Sequence, residues 1–235
     1  MKTKINKRHV DNYLYFKKDI KEICKEVNIS RKKFNNDLKR LGFKTRYSYY
    51  KDLDFKNKKL LNKLKVKYRG LTKRCRGVNY DGNYCEGLEY LRLDEWVEFC
   101  NQNKDKLQKI WNNYIENNKD RRLTVSIDRI NENEGYIPYN MRFVTNGYNV
   151  WRRNIRPVKV KFKDEWHYFM SAEEGSRFFD VRRQSIGDLL RGDYRKISKN
   201  YTVKESSIKE VLSNSVVDNT ENYYEKYIYS QGAWR

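Results

Sequence analysis

The sequence contains few of the residues that usually break or cross-link a fold, and it has no long apolar segment. Proline occurs twice in 235 residues, histidine twice and cysteine four times. No apolar run approaches the roughly 20 residues that span a bilayer, and residues 1–10 contain no hydrophobic signal core. These absences predict a cytoplasmic protein without a membrane partner.

The four cysteines are scattered, and no two of them form a Cys-x-x-Cys pair; they are Cys24, Cys75, Cys85 and Cys100. A zinc site built from the last three is one interpretation. Structural zinc sites, however, usually draw their ligands from close pairs. Reduced, partly buried thiols are therefore the preferred interpretation.

Positive charge is the strongest feature of the composition. Lysine and arginine number 52 against 31 aspartates and glutamates, which gives a formal charge of +21. Such an excess repels itself in a compact state unless a polyanion neutralises it. Aromatic residues make up 15% of the chain, with 20 tyrosines among them, and rings mixed with cations suit phosphates and stacked bases. The composition favours a nucleic-acid partner over a merely solvated lysine-rich surface.

Hydrophobic periodicity and the positions of the prolines divide the chain into four segments, and they predict an α+β, modular protein. Pro157 opens a β-then-helix unit, and a polar, tyrosine-rich stretch closes the chain. That last stretch is expected either to be disordered or to dock an aromatic strand on another module. The predicted segments are 1–55 (helix-turn-helix-like), 56–155 (central domain), 156–205 (a small DNA-binding module) and 206–235 (tail).

The first segment carries two apolar stripes at helical spacing. The first stripe consists of Ile20, Ile23, Cys24 and Val27, and the second of Phe34, Leu38 and Leu41. Ser30 is suited to cap the second helix and Gly42 to end it, so the pair predicts a helix-turn-helix. Its second helix would present DNA-contacting residues to a major groove, namely Arg31, Lys32 and Asn35. An ordinary basic helical hairpin is the alternative.

The third segment repeats this pattern at a shift of 152 positions. The shift pairs Val27 with Phe179, Ile29 with Val181, Phe34 with Ile186 and Leu38 with Leu190, and a repeat of core positions is a stronger signal than either copy alone. Two short strands precede the copy, 158–162 and 166–169, with a turn at Asp164 and a capping Ser171. Residues 157–204 resemble the NUMOD-type modules that accompany intron homing endonucleases. The resemblance implies DNA contacts by Arg182, Arg183 and Gln184.

The central segment holds three polar positions in a distinctive order. Asp128 follows Ser126-Ile127, Asn140 follows Gly135-Tyr136-Ile137-Pro138-Tyr139, and Asn149 follows Tyr148. This order resembles the ββα-metal motif of HNH homing endonucleases of phage or intron type. The resemblance implies a divalent cation, Mg²⁺ or Mn²⁺, held by Asp128 and Asn149, with Asn140 bracing the loop. It places Arg129 where the family has a general-base histidine.

The missing histidine leaves three interpretations open. Arginine stays protonated at physiological pH and cannot take a proton from water, so Arg129 would contact phosphate instead. Glu132, Glu134 or Tyr136 could act as the base; catalysis could be lost; or the match could extend to the fold alone.

These patterns together predict an HNH-like ββα-metal centre flanked by small helix-turn-helix units that bind double-stranded DNA. The leading function is a site-specific, metal-dependent endonuclease that hydrolyses phosphodiester bonds, associated with the nucleoid of a bacterial or phage-infected cell. The alternative is a catalytically silent DNA-binding protein, either a transcriptional regulator or a recombination accessory. Further phosphate contacts are expected on both sides of the motif, from Lys73, Arg74 and Arg76 and from Arg152, Arg153 and Arg156. The sequence leaves the oligomeric state open and slightly favours a monomer.

Basic helices shaped for a major groove predict that the protein prefers duplex DNA to RNA. We expect a DNA-binding constant that falls steeply with salt, because phosphate neutralisation releases counterions. We also expect unlabelled duplex DNA to displace bound single-stranded RNA in a fluorescence-anisotropy competition. Retention of the RNA against excess duplex would reverse this order of preference.

Overall fold

The computed structural model describes residues 3–77, 85–182, 184–192 and 201–229. The protein is mixed α+β, with many helices and two small sheets in these residues. The chain divides into two compact units, Met1–Asn146 and Gly147–Arg235. The finer division into four segments stays a prediction. Within the described residues, no helix is both long and apolar enough to cross a bilayer.

The first unit places a series of helices before a two-stranded sheet. Its helices are α1 (Lys7–Leu14), α2 (Ile20–Glu26), α3 (Arg31–Arg40), α4 (Arg46–Lys51), α5 (Lys58–Cys75), α6 (Leu93–Gln102) and α7 (Lys104–Glu116). Strands β1 (Val125–Arg129) and β2 (Met141–Thr145) then pair antiparallel. Short 3-10 turns, Arg121–Leu123 and Pro138–Asn140, precede the two strands.

Helix α5 supplies the centre of this unit's core. Its buried face repeats at spacings of four, four and three, a helical period, through Leu60, Leu64, Tyr68 and Leu71. The Tyr68 hydroxyl donates to the carbonyl oxygens of Leu14 and Leu91, each at 3.1 Å. Its ring stacks on that of Trp96 at 5.6 Å between centroids.

The packing continues from α6 to the sheet. Trp96 and Phe99 are both buried, as expected for two aromatics on the packed face of a helix. Their ring centroids lie 5.6 and 5.2 Å from that of Phe143 in β2. The aromatic contacts therefore fix the hairpin to the helical core.

The second unit contains a three-stranded antiparallel sheet and several short helices. Its elements are α8 (Asn146–Arg152, which starts at the last residue of the first unit), β3 (Val158–Phe162), β4 (Glu165–Phe169), α9 (Ala172–Phe178), α10 (Ser185–Leu190), β5 (Tyr201–Glu205), α11 (Ile208–Ser213), α12 (Thr220–Tyr223) and a π-helical segment (Tyr224–Tyr229). The strand order is β4-β3-β5.

The predicted hairpin of the third segment is confirmed. Lys163 and Asp164 form its turn with φ of 47° and 66°, the left-handed values that two-residue hairpin turns require. Strand β5 was not predicted. Its side chains alternate, with Tyr201 and Val203 packed on the core of the sheet.

The internal repeat extends to the backbone of the first helix of each copy. Helices α2 and α9 both have seven residues and begin 152 positions apart. Each has an N-cap side chain: Asp19 accepts from the backbone NH groups of the first turn of α2, and Ser171 accepts from Glu174 N at 3.2 Å.

The turn that follows each of these helices is also repeated. Asn28 and Asp180, again 152 apart, both have φ of 49°. The next residue in each copy returns a hydrogen bond to the helix, as helix ends with a left-handed residue do. These bonds are Ile29 N to Cys24 O at 3.0 Å and Val181 N to Ser176 O at 2.9 Å.

The second helices of the two copies differ in length and in surface. Helix α3 has ten residues and is capped by Ser30 as predicted, through Lys33 N at 3.2 Å, whereas α10 has six. Gly42 ends α3 with φ of 82°. The expectation that Leu41 continues the apolar stripe is wrong: this C-cap residue is 37% exposed, because the chain leaves the helix there.

The described part of the tail, 206–229, is largely helical and packs within the second unit. The Tyr223 hydroxyl donates to Glu174 Oε1 at 2.6 Å, and its ring lies parallel to that of Trp151. The hydroxyls of Tyr148 and Thr220 are 2.7 Å apart. Tyr223 thus buries its ring and satisfies its hydroxyl, so this part is neither disordered nor an aromatic strand.

The two left-handed turn residues predict a matched pair of substitutions. Asn28→Ala and Asp180→Ala should each lower the free energy of unfolding by about 1 kcal/mol. The Cβ of an L-residue disfavours the left-handed conformation, and alanine lacks the short polar side chain that lets Asn and Asp tolerate it. Asn28→Gly and Asp180→Gly should be nearly neutral, since glycine adopts it freely. Urea unfolding measures the differences, with Lys21→Ala, an exposed position in α2, as control. Glycine variants as unstable as the alanine variants would contradict this account.

Candidate functional site

The predicted site begins with a buried ion pair on the β1–β2 hairpin. Asp128 lies opposite Arg142 in the strand register, and Arg142 Nε donates to Asp128 Oδ2 at 2.8 Å. The Asp128 side chain is 5% exposed. A buried carboxylate is expensive unless it is paired, and the opposite strand supplies the partner.

The loop between the two strands is closed by the side chain of Asn140. Its Oδ1 accepts from Asn131 N at 2.7 Å. Its Nδ2 donates to the carbonyl oxygens of Asn131 and Gly135 at 3.0 and 2.9 Å. The buried amide thereby ties both ends of the 131–135 loop together. Its role in catalysis stays a prediction.

A close backbone contact sets the position of the same loop. Tyr136 N donates to Glu89 O at 2.8 Å, and Leu91 N donates to Tyr136 O at 3.1 Å. A Cβ at Gly135 would lie 2.1 Å from Glu89 O, far inside van der Waals contact. Only glycine allows the loop to dock on this segment.

Arg129, which replaces the expected histidine, is directed into the loop. One of its terminal nitrogens donates to Glu134 O at 2.9 Å, and its guanidinium lies 5.2 Å from the centre of the Tyr136 ring. Arg74 approaches the same ring at 5.6 Å and reaches its hydroxyl at 3.4 Å. The Arg129 residue is 5% exposed, so it supports the loop from within.

The loop geometry narrows the candidates for a substitute base. Burial raises the pKa of Tyr136 above its ordinary value of 10.0, against the opposing effect of Arg74 and Arg129. Tyr136 is therefore protonated at neutral pH and is a poor base. Glu134 accepts a hydrogen bond from Asn131 Nδ2 at 2.7 Å, and Glu132 is exposed. These two glutamates remain as candidates for the general base.

The two metal ligands that the resemblance implies fall in different units. Asp128 belongs to the first unit; Asn149 is a buried residue of α8 in the second. Among the described residues, no three His, Cys, Asp or Glu side chains form a group that could hold a metal ion. The donor types fit Mg²⁺ nonetheless, since this ion is held by one or two carboxylates together with water and substrate phosphates.

One cysteine, Cys85, borders this site, with its Sγ 3.9 Å from the Tyr136 hydroxyl. All four are free thiols, and Cys75, Cys85 and Cys100 are buried. Burial raises the pKa of Cys75 to about 12 and that of Cys100 well above its ordinary value. These two thiols are protonated at neutral pH, and a thiol binds zinc as the thiolate.

The predicted DNA contacts of the first unit lie on α3. Arg31 and Lys32 are exposed in its first turn, and Asn35 is half-buried one turn later. Arg31 and Asn35 line a common pocket with three cations that the sequence analysis did not predict as DNA contacts: Arg46, Lys65 and Arg69. Lys65 and Arg69 could have been recognised from the sequence, because they lie four residues apart on α5, a helix that contains no Asp or Glu.

The predicted contacts of the second unit are surface residues in two places. Arg182 and Gln184 are exposed before α10, with Arg182 donating to Gln184 Oε1 at 3.4 Å. Arg152 ends α8 half-buried, and Arg153 follows it exposed. Arg183 lies outside the described residues.

Comparisons of the chain with protein-family models, with curated proteins and with solved structures give no match. The family resemblance therefore rests on the residues of this chain alone. Function has to be argued from the chemistry of the site.

The docking of the loop predicts opposite effects for two glycine-to-alanine changes in the first unit. Gly135→Ala should destabilise the unit by about 3 kcal/mol, because the new methyl group overlaps the backbone of Glu89. Gly70→Ala in α5 should stabilise it by up to about 1 kcal/mol, since its Cβ meets nothing closer than 3.7 Å and alanine favours a helix. Thermal and urea unfolding test both, and equal effects would refute the steric account.

Proposed function

We propose that the protein is a DNA endonuclease that hydrolyses phosphodiester bonds with the help of a divalent cation, Mg²⁺ or Mn²⁺. The observation that carries the proposal is the buried Asp128 carboxylate on a hairpin whose loop is tied by Asn140. A rigid acidic group beside a pinned loop is what a cleavage centre needs, because catalytic groups must be held in place before the substrate arrives. The formal charge of +21 supports a polyanionic substrate.

Hydrolysis adds water across one P–O bond. The water oxygen bonds to phosphorus, the bond to the leaving oxygen breaks, one water proton passes to a base, and the leaving oxygen takes up a proton. A bound cation would supply charge stabilisation at the phosphate and would acidify a water molecule. Asp128 would be its ligand in the first unit, and the resemblance assigns the second ligand to Asn149.

The remaining residues of the hairpin position these groups and balance their charge. Arg142 compensates the Asp128 carboxylate from the opposite strand. Asn140 fixes the loop, and Arg129 braces it from within through Glu134 O. Glu132 and Glu134, both in this loop, are the candidates for the proton acceptor. An acidified water needs little further help from a base.

The second candidate function is a catalytically silent DNA-binding protein. The observation that favours it is the burial of Arg129, whose guanidinium is engaged with Glu134 O and the Tyr136 ring. In this alternative the hairpin is only a scaffold, and DNA is held by the basic helices. Transcriptional regulation or assistance to recombination would then be the role.

Replacement of Asp128 separates the two candidates. Asp128→Asn and Asp128→Ala should each reduce Mg²⁺-dependent nicking of supercoiled plasmid by about 100-fold or more, because loss of a ligand removes several kcal/mol of stabilisation. DNA affinity should stay within a few-fold. Asn149→Ala should give a similar loss of cleavage.

The matched control is Asp105→Asn, which removes a carboxylate exposed on α7. Thermal unfolding of each variant shows whether the fold survives, since Asp128→Ala removes the ion pair with Arg142. Cleavage by Asp128→Asn at the wild-type rate would overturn the assignment of the ligand. Tight, salt-sensitive binding by the wild type without cleavage in either metal would favour the silent candidate.

A further inference from the structure

A pocket of about 570 Å³ opens between α3, the start of α4 and α5, and we call it the α3–α5 pocket. Four of the residues that line it are cations, and none is acidic; the cations are Arg31, Arg46, Lys65 and Arg69. They come from three consecutive helices, α3, α4 and α5. Tertiary structure alone brings them together.

The cations of this pocket form no ion pair with a carboxylate of the described residues. Among the described residues, no carboxylate lies within ion-pair distance of any of these four cations, although fourteen ion pairs occur elsewhere, such as Lys33 with Asp37 on the same α3. Convergent like charges repel one another and lower stability until an anion neutralises them. The pocket is therefore complementary to an anionic ligand.

Arg46 shows that this charge is built into the fold. Its guanidinium donates to the carbonyl oxygens of Tyr13 and Lys18 and lies 3.7 Å from the centre of the Phe16 ring. Burial lowers the pKa of Arg46 from its ordinary value, although Asp19 acts in the opposite direction from beyond ion-pair distance. Carbonyl oxygens and rings hold the guanidinium in place, and an anion in the pocket would compensate its charge.

The walls of the pocket are aromatic. Tyr13 and Tyr50 are buried behind the cations, and the ring of Tyr47 is 69% exposed at the rim. Lys65 Nζ lies 5.3 Å from the centre of the Tyr50 ring. A volume of about 570 Å³ is in the range of pockets that take a whole small organic ligand, about 300–1,000 Å³. It exceeds what a lone phosphate needs.

We propose that the α3–α5 pocket binds the phosphate group of a nucleotide, with Arg31, Lys65 and Arg69 as phosphate donors and Tyr47 beside the attached nucleoside. Guanidinium groups form paired hydrogen bonds with phosphate oxygens, and a ring beside them suits a base or sugar. The nucleotide is either part of a bound DNA strand or a free mononucleotide. The inference rests on the proposed DNA partner, and it does not require cleavage.

The test compares cations of one helix that line the pocket with one that does not. Arg69→Ala and Lys65→Ala each remove a pocket cation, whereas Lys59→Ala removes an exposed cation of α5 that does not line it. Affinity is measured by fluorescence anisotropy with a labelled DNA duplex and by fluorescence with 2-aminopurine riboside 5′-monophosphate. Thermal unfolding confirms that each variant is folded.

We expect each pocket variant to weaken binding of at least one probe about tenfold, since one charge-assisted contact is worth about that factor. Lys59→Ala should change it less than twofold. A response with the duplex alone identifies a backbone phosphate, and a response with the mononucleotide alone identifies a free nucleotide. Equal losses of affinity in all three variants would overturn the proposal, because binding would then depend only on the net charge of the protein. No loss of affinity in the pocket variants would overturn it as well.

This failure is distinguishable from failure of the proposed endonuclease. A pocket without a specific role leaves metal-dependent cleavage and its loss in Asp128→Asn intact. Absence of cleavage, in turn, leaves the difference between Arg69→Ala and Lys59→Ala unaffected. Binding of neither probe by the wild-type protein would overturn the pocket and the DNA partner together.

Discussion

The buried face of α5 organises the first unit. Leu60, Leu64 and Leu71 are fully buried on it, and full burial of a leucine contributes about 1.5–3 kcal/mol. Tyr68 on the same face bonds to the backbone of two other segments through its hydroxyl. Because this face is held on several sides, the flanking positions of α5 are held as well. Lys65 and Arg69 line the α3–α5 pocket, and Arg74 reaches the Tyr136 ring of the hairpin loop.

The hairpin shows how the same unit concentrates polar groups without leaving them unsatisfied. Asp128 is matched by Arg142 across the sheet, and Asn140 uses its amide oxygen and nitrogen to close the loop. The contact between Gly135 and Glu89 then fixes that loop to a distant segment. A pinned loop beside a buried carboxylate is compatible with catalysis and with a static scaffold. Chemistry at Asp128, not the fold, distinguishes the two functions.

The two copies of the repeat keep their backbone and differ in their charge. The N-caps, the length of the first helix and the left-handed turn residue recur at a shift of 152. Helix α3 carries five cations and one acid, whereas Asp188 is the only charged residue of α10. Turn geometry is set by a few local rules, while the surface is free to change. The second helix of the copy in the first unit therefore carries the larger positive charge.

The sequence by itself determined the local features of the fold. It predicted the helix pair with its Ser30 cap, the β3–β4 hairpin with its turn, and the repeat, because helical periodicity, alternation and capping depend on neighbours along the chain. It missed β5 and the helical packing of Tyr223. A strand that joins a sheet after a long connection and a polar stretch that buries its tyrosines both depend on distant partners.

Only the tertiary structure decided what surrounds each site residue. It paired Asp128 with Arg142, turned Arg129 towards Glu134 and Tyr136, and brought Arg31, Arg46, Lys65 and Arg69 to one pocket. Sequence spacing fixes the face of a helix on which a side chain lies. The packing of helices against one another fixes which charges meet across a cavity, and that depends on the whole core.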